Sequence, residues 1–156
     1  MSMHLRIEEI PPTGALVFVS GAITEEADFR PLTTLADVGV LRLDLGDVEQ
    51  INSCGTREWI HFVTRLTRSG RPFELVRCSP AIVRQLNMIS NFRGGGSVRS
   101  VLLPYFCADC GHQDAVLLDL PPPAAADAIP DLRPCPICGA TAEFDDLPDS
   151  YLSFTH

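Results

Sequence analysis

Leu41-Arg42-Leu43-Asp44-Leu45-Gly46-Asp47-Val48-Glu49-Gln50-Ile51-Asn52-Ser53-Cys54-Gly55 joins a buried strand to the start of a helix. Just before it, Gly39-Val40 begins a strand over residues 39–45 that has the apolar density of a buried central strand. After Asn52-Ser53 the period changes, and Trp59, Ile60, Val63 and Leu66 recur at helical spacing. Arg65 and Arg68 fall in the last turn, where cations suit the negative end of the helix dipole, and Ser69-Gly70-Arg71-Pro72 stops the helix.

Upstream, residues 5–10 alternate apolar and polar, Pro11-Pro12-Thr13-Gly14 is a turn, and Ala15-Leu16-Val17-Phe18-Val19-Ser20-Gly21 is a second strand, so an opening hairpin is expected. Thr24 followed by Glu25-Glu26 reads as a helix start, with Leu32, Leu35 and Ala36 as the apolar side of that helix. Downstream, Phe73-Glu74-Leu75-Val76-Arg77 is a strand. Ser79-Pro80 then caps a helix with Ile82, Leu86 and Ile89 on one face. Gly94-Gly95-Gly96 forms a turn before a last strand over 98–103; no Lys-Ser/Thr follows it, so it is not a phosphate loop. Strands alternating with helices predict an α/β domain over residues 1–103, a small mixed sheet with helices packed on it.

The pattern breaks at Pro104. Residues 104–156 contain two C-x-x-C-Gly knuckles, Cys107-Ala108-Asp109-Cys110-Gly111 and Cys135-Pro136-Ile137-Cys138-Gly139, separated by a Pro- and Ala-rich insert over about 120–134. A tight turn between two such cysteines points backbone N–H groups at the sulfurs, and two knuckles supply four thiolates to one ion. Cys107, Cys110, Cys135 and Cys138 are therefore the expected ligands of a structural, closed site in a small zinc ribbon. Iron is the competing ion, although the Pro/Ala-rich connection lacks the aromatic surroundings of rubredoxin sites. His112, beside the first knuckle, reads as a solvated neighbour.

Charge separates the two parts. Residues 1–103 hold 11 acids and 11 arginines, whereas residues 104–156 hold nine acids and one arginine, Arg133, so the whole net charge of −8 sits in the second part. Such a surface repels phosphates, which excludes the nucleic-acid role of many ribbons. No apolar run approaches the roughly 18 residues of a membrane span. The first residues lack the basic and apolar regions of a signal peptide, so a cytoplasmic location with reduced thiols is expected. Phe144, Leu147, Tyr151, Leu152 and Phe154 make an acidic-aromatic tail that either docks a partner or packs on the ribbon and first domain.

The run from Leu41 to Gly55 resembles the signature of the STAS family, the bacterial anti-sigma factor antagonists, in which a buried strand and an aspartate-leucine turn lead to Asp-Ser-Ser-Gly at a helix start. Val76-Arg77-Cys78-Ser79-Pro80-Ala81-Ile82-Val83-Arg84-Gln85-Leu86-Asn87-Met88 resembles that family's next strand, Ser-Pro turn and helix. The resemblance covers about residues 4–103. It implies a non-enzymatic signalling module in which Ser53 is phosphorylated by an anti-sigma factor that is also a switch kinase. The implied partner is that kinase or an assembly of STAS proteins, further copies of this chain included.

A serine at a helix start does suit a phosphate, beside free N–H groups and the positive dipole end, and Arg57 lies one turn on. Asn52 and Cys54 depart from the family pattern, replacing its aspartate and second serine. On a plain structural reading, Asn52 or Ser53 is only the N-cap, Cys54 packs or is redox-sensitive, and Cys78 is a small core residue. The family's closing amphipathic helix is replaced by the ribbon, which is expected to pack on the first domain. A constitutive zinc-stabilised scaffold without phosphorylation is the alternative function, and an iron-type redox protein is a further one. An enzyme is disfavoured, because His4, His61, His112 and His156 are scattered and no nucleophile–base pair is visible.

Overall fold

The alternation in the first residues produces a hairpin. β1 (His4–Ile10) runs antiparallel to β2 (Gly14–Ile23), with Leu5 opposite Val19 and Ile7 opposite Val17. The computed structural model describes residues 2–10, 14–33, 35, 39–121 and 129–155; the expected turn at 11–13, Ala36, most of the Pro/Ala-rich insert and His156 lie outside them.

From β2 the chain passes to α1 (Arg30–Thr33). The helix does not begin at Thr24 as its neighbours suggest. Thr24 instead closes a turn, its carbonyl accepting from the Ala27 N–H at 3.0 Å and its hydroxyl from the Glu26 N–H at 3.2 Å. Pro31 explains the shift. In a helix running from 24 it would sit mid-helix, lacking an N–H and clashing with the preceding turn, whereas in a first turn it is tolerated. Asp28 accepts the Arg30 N–H at 3.0 Å at the true start, and Leu32 is fully buried.

β3 (Val40–Ile51) pairs parallel with β2 and is longer than the strand expected over 39–45. Its second half stays in the sheet because two register shifts against β2, between Phe18 and Ser20 and between Gly21 and Ala22, absorb the irregularity and still bury Val48. α2 (Ser53–Arg68) then buries Trp59, Phe62, Val63 and Leu66. The Trp59 indole N–H donates to the Phe92 carbonyl at 2.7 Å, and Phe29 stacks on Phe62 with ring centres 4.8 Å apart. β4 (Phe73–Val76) joins β3 in parallel, and α3 (Pro80–Met88) follows, capped by the Ser79 hydroxyl accepting from Ile82 N–H. β5 (Ser97–Val98) ends the first sheet, whose order is β1-β2-β3-β4-β5. Val17, Leu41, Leu43 and Leu75 on its inner face are fully buried, each worth about 1.5–3 kcal/mol of transfer free energy.

The strand expected over 98–103 is in fact divided at Arg99. The Arg99 N–H bonds to Leu75 O in the first sheet at 2.8 Å, while its carbonyl accepts from Leu120 N–H, also at 2.8 Å. From there β6 (Ser100–Phe106) enters a second, antiparallel sheet with β7 (Gln113–Asp119), β8 (Leu132–Pro134) and β9 (Thr141–Phe144), in the order β7-β6-β9-β8. β6 thus crosses the composition change at 103/104 as one strand. A single bridge between Cys78 and Val101 also ties it to the end of β4.

The chain closes on α4 (Pro148–Tyr151) and a 3-10 turn at Ser153–Thr155. Tyr151 is buried, donates its hydroxyl to Leu102 O at 2.6 Å and meets the Phe144 ring edge-on at 5.2 Å. Asn87 of α3 holds the same segment: its amide donates to Tyr151 O at 3.0 Å and its oxygen accepts from Phe154 N–H at 2.9 Å. Of the acidic-aromatic tail, Tyr151 is thus core, Phe144, Leu152 and Phe154 pack against it, and Leu147 is exposed. One apolar core runs through both sheets, from Val17 to Tyr105, Cys107, Cys135 and Ala142. Among the described residues no helix is long and apolar enough to cross a membrane.

Candidate functional site

The two knuckles have the same backbone. In the first, between β6 and β7, the Cys107 N–H bonds to His112 O at 3.0 Å and the Gly111 N–H to Cys107 O at 2.8 Å. In the second, between β8 and β9, the Cys135 N–H bonds to Ala140 O at 2.6 Å and the Gly139 N–H to Cys135 O at 3.0 Å. Gly111 and Gly139 close these turns at φ +76° and +78°, where a Cβ would meet no atom but an L side chain is strained. The glycines are thus required by conformation and not by space.

These turns bring Cys107, Cys110, Cys135 and Cys138 together, with their four sulfurs all within 4.8 Å of one another. Cys107 Sγ lies 3.5 Å from Cys138 Sγ and Cys110 Sγ 3.6 Å from Cys135 Sγ. Four thiolates at about 2.3 Å from a shared tetrahedral ion stand about 3.8 Å apart, whereas a disulfide needs about 2.05 Å. The arrangement can therefore hold one metal ion, and all six cysteines are free of disulfides. The first cysteine of each knuckle is buried and the second exposed, so the site lies half in the core and half at the surface. The Cys135 thiol is drawn down to about 6; the Cys138 N–H is the largest cause, burial opposes it, and the Ile137 N–H, 3.4 Å from the sulfur, adds to the fall. His112 contributes its carbonyl to the turn and stands outside the four-sulfur group.

Ser53 lies elsewhere, at the first turn of α2 and exposed. The cap is Asn52: its side-chain oxygen accepts the Gly55 N–H at 2.7 Å and its carbonyl the Thr56 N–H at 2.8 Å. Ser53 is left free of the capping task, and among the described residues no group takes up its hydroxyl. Cys54 and Arg57 are exposed beside it. Gly55 is buried against the end of β2, where a Cβ would stand 1.9 Å from Ile23 O. The Asn52 amide donates to Glu25 Oε2 at 3.2 Å, and Glu25 is held below its usual range by a backbone hydrogen bond first and by Asn52 second. A carboxylate therefore stands beside position 52 although residue 52 itself is neutral.

No family model matches the chain, and no curated protein matches its sequence.

A further polar cluster escaped the sequence reading. Asp44 is buried on β3, and both its oxygens lie 3.0 Å from Arg77 Nη1, while the Gly46 N–H donates to Oδ1 at 3.0 Å. Arg77 has φ +50°, an unusual conformation for a side-chain-bearing residue, and its N–H donates to the buried Ser100 hydroxyl at 2.8 Å. Arg77 joins the first sheet to β6 in this way. The signal in the sequence was Asp44 itself, a charge in an apolar strand that demands a partner. Cys78, next in the chain, is fully buried; burial pushes its thiol up and the Asp44 charge adds to the effect.

Proposed function

We propose that this chain is a non-enzymatic bacterial signalling module of the STAS type, stabilised by a zinc ribbon, with Ser53 as its phosphorylated control point. The observation that carries this reading is the start of α2: Asn52 caps the helix, which leaves the Ser53 hydroxyl exposed beside the first-turn N–H groups. A dianion added there changes the charge of a surface that meets a protein partner, an anti-sigma factor with kinase activity or other STAS proteins. The opening hairpin, the parallel β2-β3-β4 order and the Ser79-capped α3 support the same family reading. Incubation with a cognate switch kinase and ATP, followed by intact mass, is expected to add one phosphate that Ser53→Ala abolishes. Absence of the phosphate together with unchanged partner binding by Ser53→Glu refutes the switch.

Zinc is the ion proposed for Cys107, Cys110, Cys135 and Cys138, since four thiolates with no open position suit a closed structural site. The sulfur spacing suits iron equally; a colourless protein with one zinc per chain is the expected result of elemental analysis, and a visible thiolate–iron absorbance refutes it.

A second reading is a constitutive scaffold without phosphorylation. Glu25 favours it, because a carboxylate already hydrogen-bonded to Asn52 opposes a phosphate on the next residue. Capture of the same partners by wild type and Ser53→Glu distinguishes this scaffold from the switch.

A further inference from the structure

The two faces of the second sheet differ. Val101, Leu103 and Tyr105 of β6 point into the core, and so do Val116 and Leu118 of β7. Arg133, the one cation of this part, belongs to that inner side: it pairs with Asp114 and lies over the Tyr105 ring at 5.5 Å. Residues of opposite parity form the outer face. There Leu102 stands opposite Leu117, and Phe106, Glu143 and Leu132 form one cross-strand row. Leu102 is buried yet outside the core cluster, and Phe106, Leu117 and Leu132 are 39%, 51% and 56% exposed. This is an apolar face whose charged members are Glu143 and Asp119. None of the strand positions on this face is a cation.

We infer that this outer face is a docking surface for a basic, amphipathic segment of a partner protein. Apolar side chains in two rows, with Pro104 opposite Ala115 in the row between them, favour a partner with an apolar stripe. The charge decides which partner. Residues 104–156 carry nine acids against one arginine, and that arginine is committed to the other face. Nucleic acid and anionic lipid are repelled by such a surface. A second copy of this chain, with net charge −8, is disfavoured by the same repulsion. Flanking lysines or arginines on an apolar peptide gain both attractions, and the ionic part also speeds encounter. The surface is separate from Ser53, so the inference goes beyond the proposed switch and stands or falls without it.

The test uses the full-length, metal-loaded protein, with a phage-displayed random peptide library as the probe. Recovered peptides are expected to carry net positive charge and apolar residues at strand or helix spacing, to bind more weakly in high salt, and to lose at least about tenfold in affinity on Leu117→Ser/Leu132→Ser. Both leucines are half-exposed, so the double variant should keep its metal content and melting temperature. A milder pair, Leu117→Ala/Leu132→Ala, covers the case in which it does not. Ser53→Glu should leave the binding of these peptides unchanged, which separates this surface from the switch. Peptides without a cationic bias, or equal binding by both leucine variants, overturn the inference. So does binding of anionic vesicles, or a dimer of the wild type, that either leucine variant abolishes.

Discussion

Replacing Gly55 by alanine tests how α2 is seated, because two effects of opposite sign meet there. By intrinsic propensity alanine is better than glycine inside a helix by about 1 kcal/mol. Against that, the new Cβ would stand 1.9 Å from Ile23 O, whereas ordinary carbon–oxygen contact is about 3.3 Å, so strand end and helix start must separate by about 1.4 Å. That movement strains the Asn52 N–H bond to Ile23 O, now 3.2 Å, and the 2.7 Å cap from Asn52 to the Gly55 N–H. Each is worth about 1 kcal/mol, and overpacking adds roughly 1–3 kcal/mol. The clash wins by about 2–4 kcal/mol, or roughly 5–15 °C in Tm for a chain of this size. Trp59 is the single tryptophan, fully buried on the same helix, so urea unfolding followed by its fluorescence reads the effect. Cys54→Ala, one residue earlier and exposed, should stay within about 0.5 kcal/mol of wild type. A Gly55→Ala protein as stable as wild type, or more so, refutes the close seating of α2 on β2.

Tyr151 predicts an alkaline weakness. Burial first, and the Asp146 charge next, raise its hydroxyl above the ordinary range, so the unfolded chain releases that proton at lower pH than the folded one. The stability it contributes is complete below the unfolded value of about 10 and falls above it by up to about 1.4 kcal/mol per pH unit. Tyr151→Phe should be less stable than wild type at pH 7, with a gap that narrows above pH 10 in urea midpoints; a constant gap refutes the assignment. The Asp44–Arg77 pair should show a coupling of about 1–2 kcal/mol in a cycle of Asp44→Asn and Arg77→Ala, with Arg77→Ala the more damaging single change because it leaves a buried carboxylate unpaired. A coupling indistinguishable from zero counts against it. If the four cysteines hold an ion as proposed, its chelation should lower Tm and, by hydrogen exchange, expose β6, β9 and α3 while the first turns of α2 keep their protection. Equal loss across all of these elements refutes that order.

The features legible in the sequence were those set by local chemistry. α2 and α3 follow from apolar spacing, and Asn52 and Ser79 from the demand of a helix start for a side-chain acceptor. The cysteine group follows from two knuckles, since each turn is specified by its own few residues. The misread features were set by distant partners. Thr24-Glu25-Glu26 resembles a helix start, but Pro31 forbids the continuation. Residues 98–103 read as one strand because all but Arg99 suit either sheet, and only the opposing bonds to Leu75 and Leu120 divide them. The partner of Asp44 lies 33 residues away on a residue with positive φ, which no local pattern marks.

The chain joins its two parts at several points, and they differ in kind. Arg99 and the Cys78–Val101 bridge are backbone links at the end of β4, and Arg77 adds a hydrogen bond to Ser100. A fourth link is Tyr151 with Asn87, and it depends on β9 delivering α4 to the right place. β9 is paired with β6 at only two positions, Tyr105–Phe144 and Phe106–Glu143, and with β8 at three. So short a ladder is a weak constraint on its own. The four cysteines bind the β6–β7 turn to the β8–β9 turn at the end of that ladder, next to Phe106 and Thr141. An ion shared by the four sulfurs would supply a restraint that two hydrogen-bonded rows do not, and that restraint would reach α3 through β9 and Tyr151. The start of α2 is held instead by Ile23 and Asn52, within the first sheet and away from the four-sulfur group. A metal ion held by the four cysteines would therefore act on the covering of α3 and the outer face of the second sheet, and Ser53 is expected to keep its geometry whether or not the ion is bound.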